Sequence, residues 1–399
     1  HIIFSFSTKS IIKDNMKIFH LYSDWKWTGP AEPALNLCET LKKRGHDITF
    51  ACGKADEALM LLPNSESVEK YASERGIVPI TKFSLTKHFR FFKAINDIRM
   101  LTKFINNETF DIIHVHRNYD HLVGGIAARR AKKSLPIVRT SHDGIALKKG
   151  LRNKICLSKL TDKLITVSEQ ARQSEIKNYN LLEDKVIKID AAVDCRRFSP
   201  VNSNSGSREK LGIRDDDIVV GIIARIQPHR RFNELLRAIK IASQEDPRIR
   251  LLVIGRGTKE KQLLTDPTRE MGLEDVVIHP GYRIDDYVDV VSCMDIDVFL
   301  IPGSDGSCRA VREVMAMGIP VIAANRGMLP EIVDNNVNGL VVDDTPENLA
   351  DAILKLTRDE SLRKKLAEAS LKKALEKFSL EALATQVERV YEEILSARN

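Results

Sequence analysis

Short apolar runs alternate along this chain with longer segments in which apolar residues return every three or four positions. The runs, bounded by turn residues, read as buried strands, and the longer segments read as helices with one apolar face. Residues 16–22 (MKIFHLY) give the first expected strand, and a loop covers 23–30. A helix then runs from 31 to 44, stops at Gly45, and is followed by a strand at 46–52. The alternation continues with a short strand at 77–80, a long helix at 85–105, a strand at 111–115 and a helix at 121–133. A strand at 136–140 ends in Ser141-His142-Asp143-Gly144, and strands at 163–167 and 185–189 complete the first half. The Ser/Asn/Gly-rich stretch 201–208 has the composition of a surface linker. After it the pattern restarts, with strands at 218–223, 250–254 and 276–279 and a helix at 232–243. Strands alternating with helices predict an α/β protein with mostly parallel sheets.

The densest pattern lies at 298–333. The apolar run 298–301 reads as a buried strand, and the loop 302–307, which holds Asp305 and Ser307, leads into a helix at 308–317 closed by Gly318. Pro320 bars continuation, and 321–323 give the next strand. Cys308 and Arg309 therefore fall at a helix N-terminus, whose free N–H groups favour an anion, commonly phosphate. Beyond Asp344 the chain reads as helical to its end.

Asp305 and Glu313, followed by Gly318-Ile319-Pro320-Val321-Ile322 and Gly327-Met328-Leu329-Pro330-Glu331-Ile332, resemble the Glu-x7-Glu segment of glycosyltransferase family four. Those enzymes are retaining transferases with the two-domain GT-B fold. The first acidic position is Asp here, one methylene shorter. The resemblance implies two Rossmann-like domains facing across a cleft, at 16–200 and 201–378. A C-terminal helix at 379–399 would cross back to the first domain, and 1–15 would be an N-terminal extension or tag remnant. Residues 1–15 carry no small-residue cleavage site, so they do not read as a signal peptide.

The site residues follow from the same likeness. Arg225 and Arg230, after the strand at 218–223, match the Arg and Lys that hold the donor diphosphate, whose charge grows as the glycosidic bond breaks. Arg231 stands where a Gly is usual, which unsettles the local turn. Glu313 would accept hydrogen bonds from the ribose hydroxyls, since a carboxylate offers acceptors only. Asp305 would face the donor sugar or organise amides at the helix start, beside Ser307, Cys308 and Arg309. His142, past a strand end, would line the cleft between donor and acceptor. Gly29, in Gly29-Pro30-Ala31-Glu32, matches a phosphate-side loop, although Pro30 removes one donor. Gly255, in Gly255-Arg256-Gly257, reads as a turn near the nucleotide, and Gly281-Tyr282-Arg283 as the segment that reads the base. His114 and His116, on or beside a buried strand, read as structural. Both Asp295-Ile296-Asp297 and Asp215-Asp216-Asp217 precede strands, so no metal is expected, and no cofactor, the nucleotide-sugar being a substrate.

Composition narrows the partners. The six cysteines are scattered with no C-x-x-C pair, which points to reduced thiols and a cytoplasmic location. No run reaches the roughly 18 to 20 apolar residues of a membrane span. The net charge of +7 suggests phosphates, nucleic acid or acidic lipid. The resemblance selects among these a nucleotide-sugar donor and a sugar, lipid-linked or phosphorylated acceptor, with no nucleic acid. Eleven Lys and Arg against two acids at 126–163, beside the basic and aromatic stretch 85–105, also suggest peripheral contact with an anionic membrane. The competing reading is a GT-B-like protein that binds a nucleotide or a partner without transfer. A sugar-nucleotide epimerase of the same fold is a third.

Overall fold

The structure, a computed structural model, describes residues 15–55, 66–202, 206–302 and 308–398. Two six-stranded parallel sheets organise these residues. In the first, β1 (Lys17–Tyr22), β2 (Asp47–Cys52), β3 (Ile112–Val115), β4 (Ile137–Ser141), β5 (Lys163–Thr166) and β6 (Val186–Lys188) lie in the order β2-β1-β3-β4-β5-β6. The second contains β7 (Ile218–Ile223), β8 (Ile249–Ile254), β9 (Val277–Gly281), β10 (Ile296–Phe299), β11 (Val321–Ala324) and β12 (Gly339–Val342), ordered β12-β11-β10-β7-β8-β9. Parallel sheets of this kind are covered on both faces by their crossover helices, so their strands read as continuous apolar runs. Such runs are IVVGII in β7 and VIAA in β11, all but one residue of which are buried.

The two halves are joined by several contacts. The helix Leu380–Ser396 follows the second sheet but packs its Ala384, Val387, Val390 and Tyr391 against Met16, Ile18, Leu37 and Leu41 of the first half. Its Glu388 accepts from His46 at 2.9 Å and from Arg44 at 2.7 Å. The chain leading into this helix is pinned where Val193 donates its N–H to the Phe378 carbonyl at 2.8 Å. Glu331, in the short helix Leu329–Ile332, crosses in the other direction and accepts from the Glu169 and Gln170 amides at 2.8 and 3.3 Å. It thus completes the capping of the helix Glu169–Tyr179, whose Ala171 amide is already taken by the Ser168 hydroxyl.

Several boundaries differ from the sequence reading. The helix expected at 85–105 is Phe91–Asn107: the buried Asp97 carboxylate binds the Ser84 and Leu85 amides, and Leu85 takes a φ of 32°, which breaks the helix there. Residues 77–80 form only an isolated bridge, Ile80 to Ala51, and no strand. The helix expected at 121–133 is Asn118–Arg130, started by the Asp120 carboxylate on the Arg117 amide. Helices at Val68–Glu74, Leu151–Lys159 and Glu169–Tyr179 were not anticipated. At Arg231 the left-handed turn survives the loss of glycine. The residue sits at φ 60°, ψ 36°, and its guanidinium is held by Asp344 and Glu234. A non-glycine residue there costs roughly 1–2 kcal/mol, which these ion pairs help to offset.

Candidate active site

A cavity of about 190 Å³ lies between the two halves at the carboxyl ends of β1, β4 and β5 and at the start of the helix Arg309–Ala316. Gly29, Pro30 and Glu32 line it from the first half, together with His142; Arg309 and Glu313 line it from the second, and the connecting segment around Ala191 and Ala192 closes it. This is the place where open parallel sheets commonly hold ligands. Pro30 occupies the N-cap of the helix Ala31–Lys43, a position where its missing N–H removes no intrahelical bond.

Glu313 is buried on the cavity wall. Its Oε2 accepts from the Tyr287 hydroxyl at 2.7 Å, and its Oε1 lies 3.3 Å from Arg309 Nε. Burial raises the Glu313 carboxyl above its ordinary range, while Arg309 and the Tyr287 hydroxyl hold the shift back. Burial and the neighbouring carboxylate push the Tyr287 hydroxyl well up. Arg309 also pairs with Glu32 of the first half. Below them, Arg312 is wholly buried over the Phe378 ring at 4.8 Å, with its Nη2 3.8 Å from Asp190.

A second group of expected residues lies along the carboxyl edge of the second sheet. Arg225 follows β7, Gly255 follows β8 and Tyr282 follows β9, three neighbouring strands. Arg225 is exposed, whereas Arg230 is buried and donates to the Ile301 carbonyl just past β10 at 2.7 Å. Gly255 and Gly257 are required by crowding, since a Cβ there would meet the Ala224 and Ile226 carbonyl oxygens at 1.9 and 2.0 Å. Arg256 stacks over the half-exposed Tyr282 ring at 4.4 Å. These residues do not line the cavity that holds Glu313 and His142. The Asp305 and Ser307 expectations lie outside the described residues. Cys308 is buried at the helix N-cap in a left-handed conformation.

His114 and His116, read as structural, lie in a cluster with His20 and His142. His20 Nδ1 lies 3.0 Å from His116 Nε2, and His116 Nδ1 lies 3.1 Å from His142 Nε2. His114 is engaged on both nitrogens, by Tyr391 at 2.6 Å and Thr140 at 2.7 Å. Burial pushes His20 and His142 down to about 3, and His114 and His116 well below the usual imidazole range. His20, His114 and His116 each present one ligand atom within 4.8 Å of the others, the one such group among the described residues. Asp295 and Asp217, one from each aspartate run, are tied into the fold. Asp295 accepts from the Val219 amide at 2.8 Å and pairs with Arg208, and Asp217 pairs with Arg214 and Arg250.

Glu32 on the cavity wall, and Tyr287 and His20, which contact Glu313 and His116, were not singled out by the sequence reading. Glu32 closes the Gly29-Pro30-Ala31-Glu32 segment, so a signal existed for it; Tyr287 and His20 reach the site through pairings 26 and 96 residues apart, which no spacing reveals. The basic stretch at 126–163 is thinner at the surface than its count suggests. Arg139 is buried beside Asp120, Arg129 pairs with Asp162, and Lys163 faces Glu393.

Two family models match the chain, one described as Glycosyltransferase Family 4 over residues 28–197 and one as Glycosyl transferases group 1 over residues 204–373. The chain is 29% identical over 313 residues to a D-inositol 3-phosphate glycosyltransferase of Saccharomonospora viridis, covering 72% of this chain and 71% of that one. It is 23% identical over 361 residues to UDP-Gal:alpha-D-GlcNAc-diphosphoundecaprenol alpha-1,3-galactosyltransferase of Escherichia coli, covering 87% and 89%. A solved glycosyltransferase from Rickettsia africae shares the fold with a TM-score of 0.79 at 20% identity, covering 96% of this chain and 99% of that one.

Proposed function

We propose, for a chain that belongs to glycosyltransferase family four and so transfers a sugar from a nucleotide-sugar donor, a retaining, metal-independent transfer from a UDP-sugar to a phosphate-bearing acceptor. The observation that carries this reading is the buried Glu313 on the cleft wall, on the helix that follows β10, with Arg309 beside it. Glu313 would take the ribose hydroxyls, and Arg225 and Arg230 the diphosphate. Gly29 and the helix start, with Ser307, Cys308 and Arg309, would border the phosphates and the sugar, and Gly255 and Tyr282 the base. Asp305 and His142 would face the transferring sugar.

In the reaction the bond from the anomeric carbon to the diphosphate breaks and a bond to the acceptor oxygen forms on the same face. The acceptor proton passes to the departing phosphate oxygen. The two arginines stabilise the charge that accumulates there, the part a divalent cation plays elsewhere. No cofactor enters this scheme. The uracil donor and the phosphate-bearing acceptor are suggested by relatives named for UDP-galactose, inositol 3-phosphate and a lipid diphosphate. An acceptor of the last kind accords with a cytoplasmic protein at an anionic inner membrane face. All six cysteines are free, and among the described residues no helix is long and apolar enough to cross a membrane.

A thermal-shift panel of UDP, GDP and ADP sugars, followed by NMR of the product's anomeric proton, tests the proposal. Stabilisation by UDP-sugars and an α-anomeric product from an α-linked donor are expected. Inversion, or binding of nucleotide without turnover on any phosphorylated or lipid-linked acceptor, would sink it and favour the non-catalytic reading.

A further inference from the structure

Three imidazoles run in line from the interior of the first sheet to the cleft. His20 is on β1, His116 follows β3, and His142 follows β4 on the cavity wall. The rings are nearly parallel, 13° between His20 and His116 and 19° between His116 and His142, and the two N···N distances are 3.0 and 3.1 Å. Each contact needs one nitrogen protonated and the other bare. The chain of contacts therefore has two self-consistent arrangements, which run in opposite directions.

In one, each ring is protonated at Nδ1: His20 donates to His116, His116 donates to His142, and His142 keeps an N–H for the cavity. In the other, each ring is protonated at Nε2 and His142 shows the cavity a lone pair. The deep end decides between them. His20 Nε2 is buried with no partner among the described residues. The first arrangement leaves a bare lone pair there, and the second leaves an N–H. A buried N–H without an acceptor is the rarer and costlier of the two. We infer that His20 and His116 are positioning residues that fix His142 as a hydrogen-bond donor to an oxygen of the substrate bound in the cleft. This assignment rests on the transferase reading only for the identity of that substrate.

The same nitrogens do not suit a resident metal ion. Both His114 nitrogens are already engaged, by Tyr391 and Thr140, and both His116 nitrogens face other imidazoles. All three rings of the line are also held neutral, since burial and the nearby Arg139 and Arg117 oppose protonation of His142, and burial opposes that of His20 and His116. A neutral His142 that donates would hold a sugar hydroxyl or phosphate oxygen and would not act as the base.

Two-bond proton–nitrogen correlation spectra of the full 15N-labelled chain, without substrate, read the tautomers directly. Nδ1–H is expected at His20, His116 and His142, the last assigned by loss of its signals in His142→Gln. Nε2–H at His142 would overturn the inference whether or not the chain proves to be a transferase. In His20→Phe, which keeps a ring but removes the first donor, His142 should lose its single tautomer, and kcat should fall about tenfold with donor KM within twofold. An unchanged His142 tautomer with unchanged kcat would overturn the positioning role. Stoichiometric zinc in protein purified without chelator, with the histidine signals shifting on its removal, would overturn it as well. If His20→Phe does not fold, the spectrum of the unsubstituted chain still decides.

Discussion

Arg309 reaches across the cleft to Glu32 while its Nε stays 3.3 Å from Glu313, so one guanidinium ties a carboxylate of each half together over the cavity. A donor phosphate arriving at this helix start would compete with Glu32 for the same fork of N–H groups. The ion pair is half-exposed on the Arg309 side, so its own worth to stability is small, about 0–1 kcal/mol. Its weight lies in the charge it holds beside Glu313.

Glu313→Ala is accordingly expected to weaken nucleotide-sugar binding by roughly 10- to 150-fold, the worth of about 1.5–3 kcal/mol for hydrogen bonds to a charged group. It should leave the fold intact, because the helix is held by Val311, Val314 and Met315 in the core. Isothermal calorimetry against a UDP-sugar checks this. Binding equal to that of the unsubstituted chain would remove Glu313 from the site.

Much of this arrangement was legible because its parts are local. The buried parallel strands announce themselves as apolar runs, and Glu313 sits at a fixed offset from Gly318 and Pro320 on one strand–loop–helix unit. What escaped depends on partners distant in the chain. Nothing near Phe91 marks a helix start, since the break comes from Asp97 folding back on the Ser84 and Leu85 amides. His116 looks like a core histidine until His20 and His142, 96 and 26 residues away, are seen at its two nitrogens. The helix Glu169–Tyr179 carries only three buried residues, too faint a stripe to register. Its N-terminus is finished by Glu331, 162 residues on.

The two arginines at the end of β7 should separate in their effects. Arg225 is exposed, so Arg225→Ala is expected to lower kcat by about 100-fold, the usual cost of losing one preorganised charge donor, with no change in melting temperature. Arg230→Lys keeps the charge and should cost less activity. It should nonetheless lower the melting temperature, because the buried guanidinium that donates to the Ile301 carbonyl gives way to a more strongly hydrated ammonium. Equal rates for Arg225→Ala and the unsubstituted chain would exclude Arg225 from holding the diphosphate.

Stability should carry an opposite pH signature on the two sheets. On β10, Asp297 is buried with neither carboxylate oxygen partnered among the described residues, and burial pushes it up to about 8. Its folded pKa lies above the unfolded one near 4, so the native chain holds more protons across that window and stability falls as pH rises from about 4 to 8. Asp297→Asn should therefore stabilise the chain more at pH 8 than at pH 5, by the order of a few kcal/mol at the upper end, and raise the melting temperature accordingly. His20 and His142 act in the other direction. Their folded values near 3 lie below the usual 6.5, so their contribution is complete above 6.5 and is lost as pH falls toward 3. Differential scanning fluorimetry from pH 4 to 9 checks both arms. A flat difference between Asp297→Asn and the unsubstituted chain would mean that Asp297 is not buried as a neutral acid.

The final expectation concerns the face of the first half. The helices Phe91–Asn107 and Leu151–Lys159 both pack on the helix Asn118–Arg130 and both begin at the carboxyl edge of the first sheet. At those starts Phe91 is 61% exposed, Phe92 84% and Leu151 74%. A folded chain seldom leaves neighbouring large apolar side chains so open without a partner. Around them stand Lys87 and Arg90 ahead of the first helix and Lys93 on it, and Lys148 and Lys149 ahead of the second with Arg152 and Lys154 on it, all exposed. An anionic lipid surface satisfies both features, with roughly 1 kcal/mol from each cation near the headgroups and up to about 1.5–3 kcal/mol from each phenylalanine that becomes fully buried. The chain should co-sediment with vesicles containing phosphatidylglycerol at low salt and be released as salt rises, because the Debye length shrinks to about 8 Å at physiological ionic strength. The double variant Phe91→Ser/Phe92→Ser should lose at least tenfold in vesicle affinity while keeping its activity on a soluble acceptor. Equal sedimentation with anionic and neutral vesicles at low salt would rule the membrane contact out and leave the cations to a soluble phosphorylated acceptor.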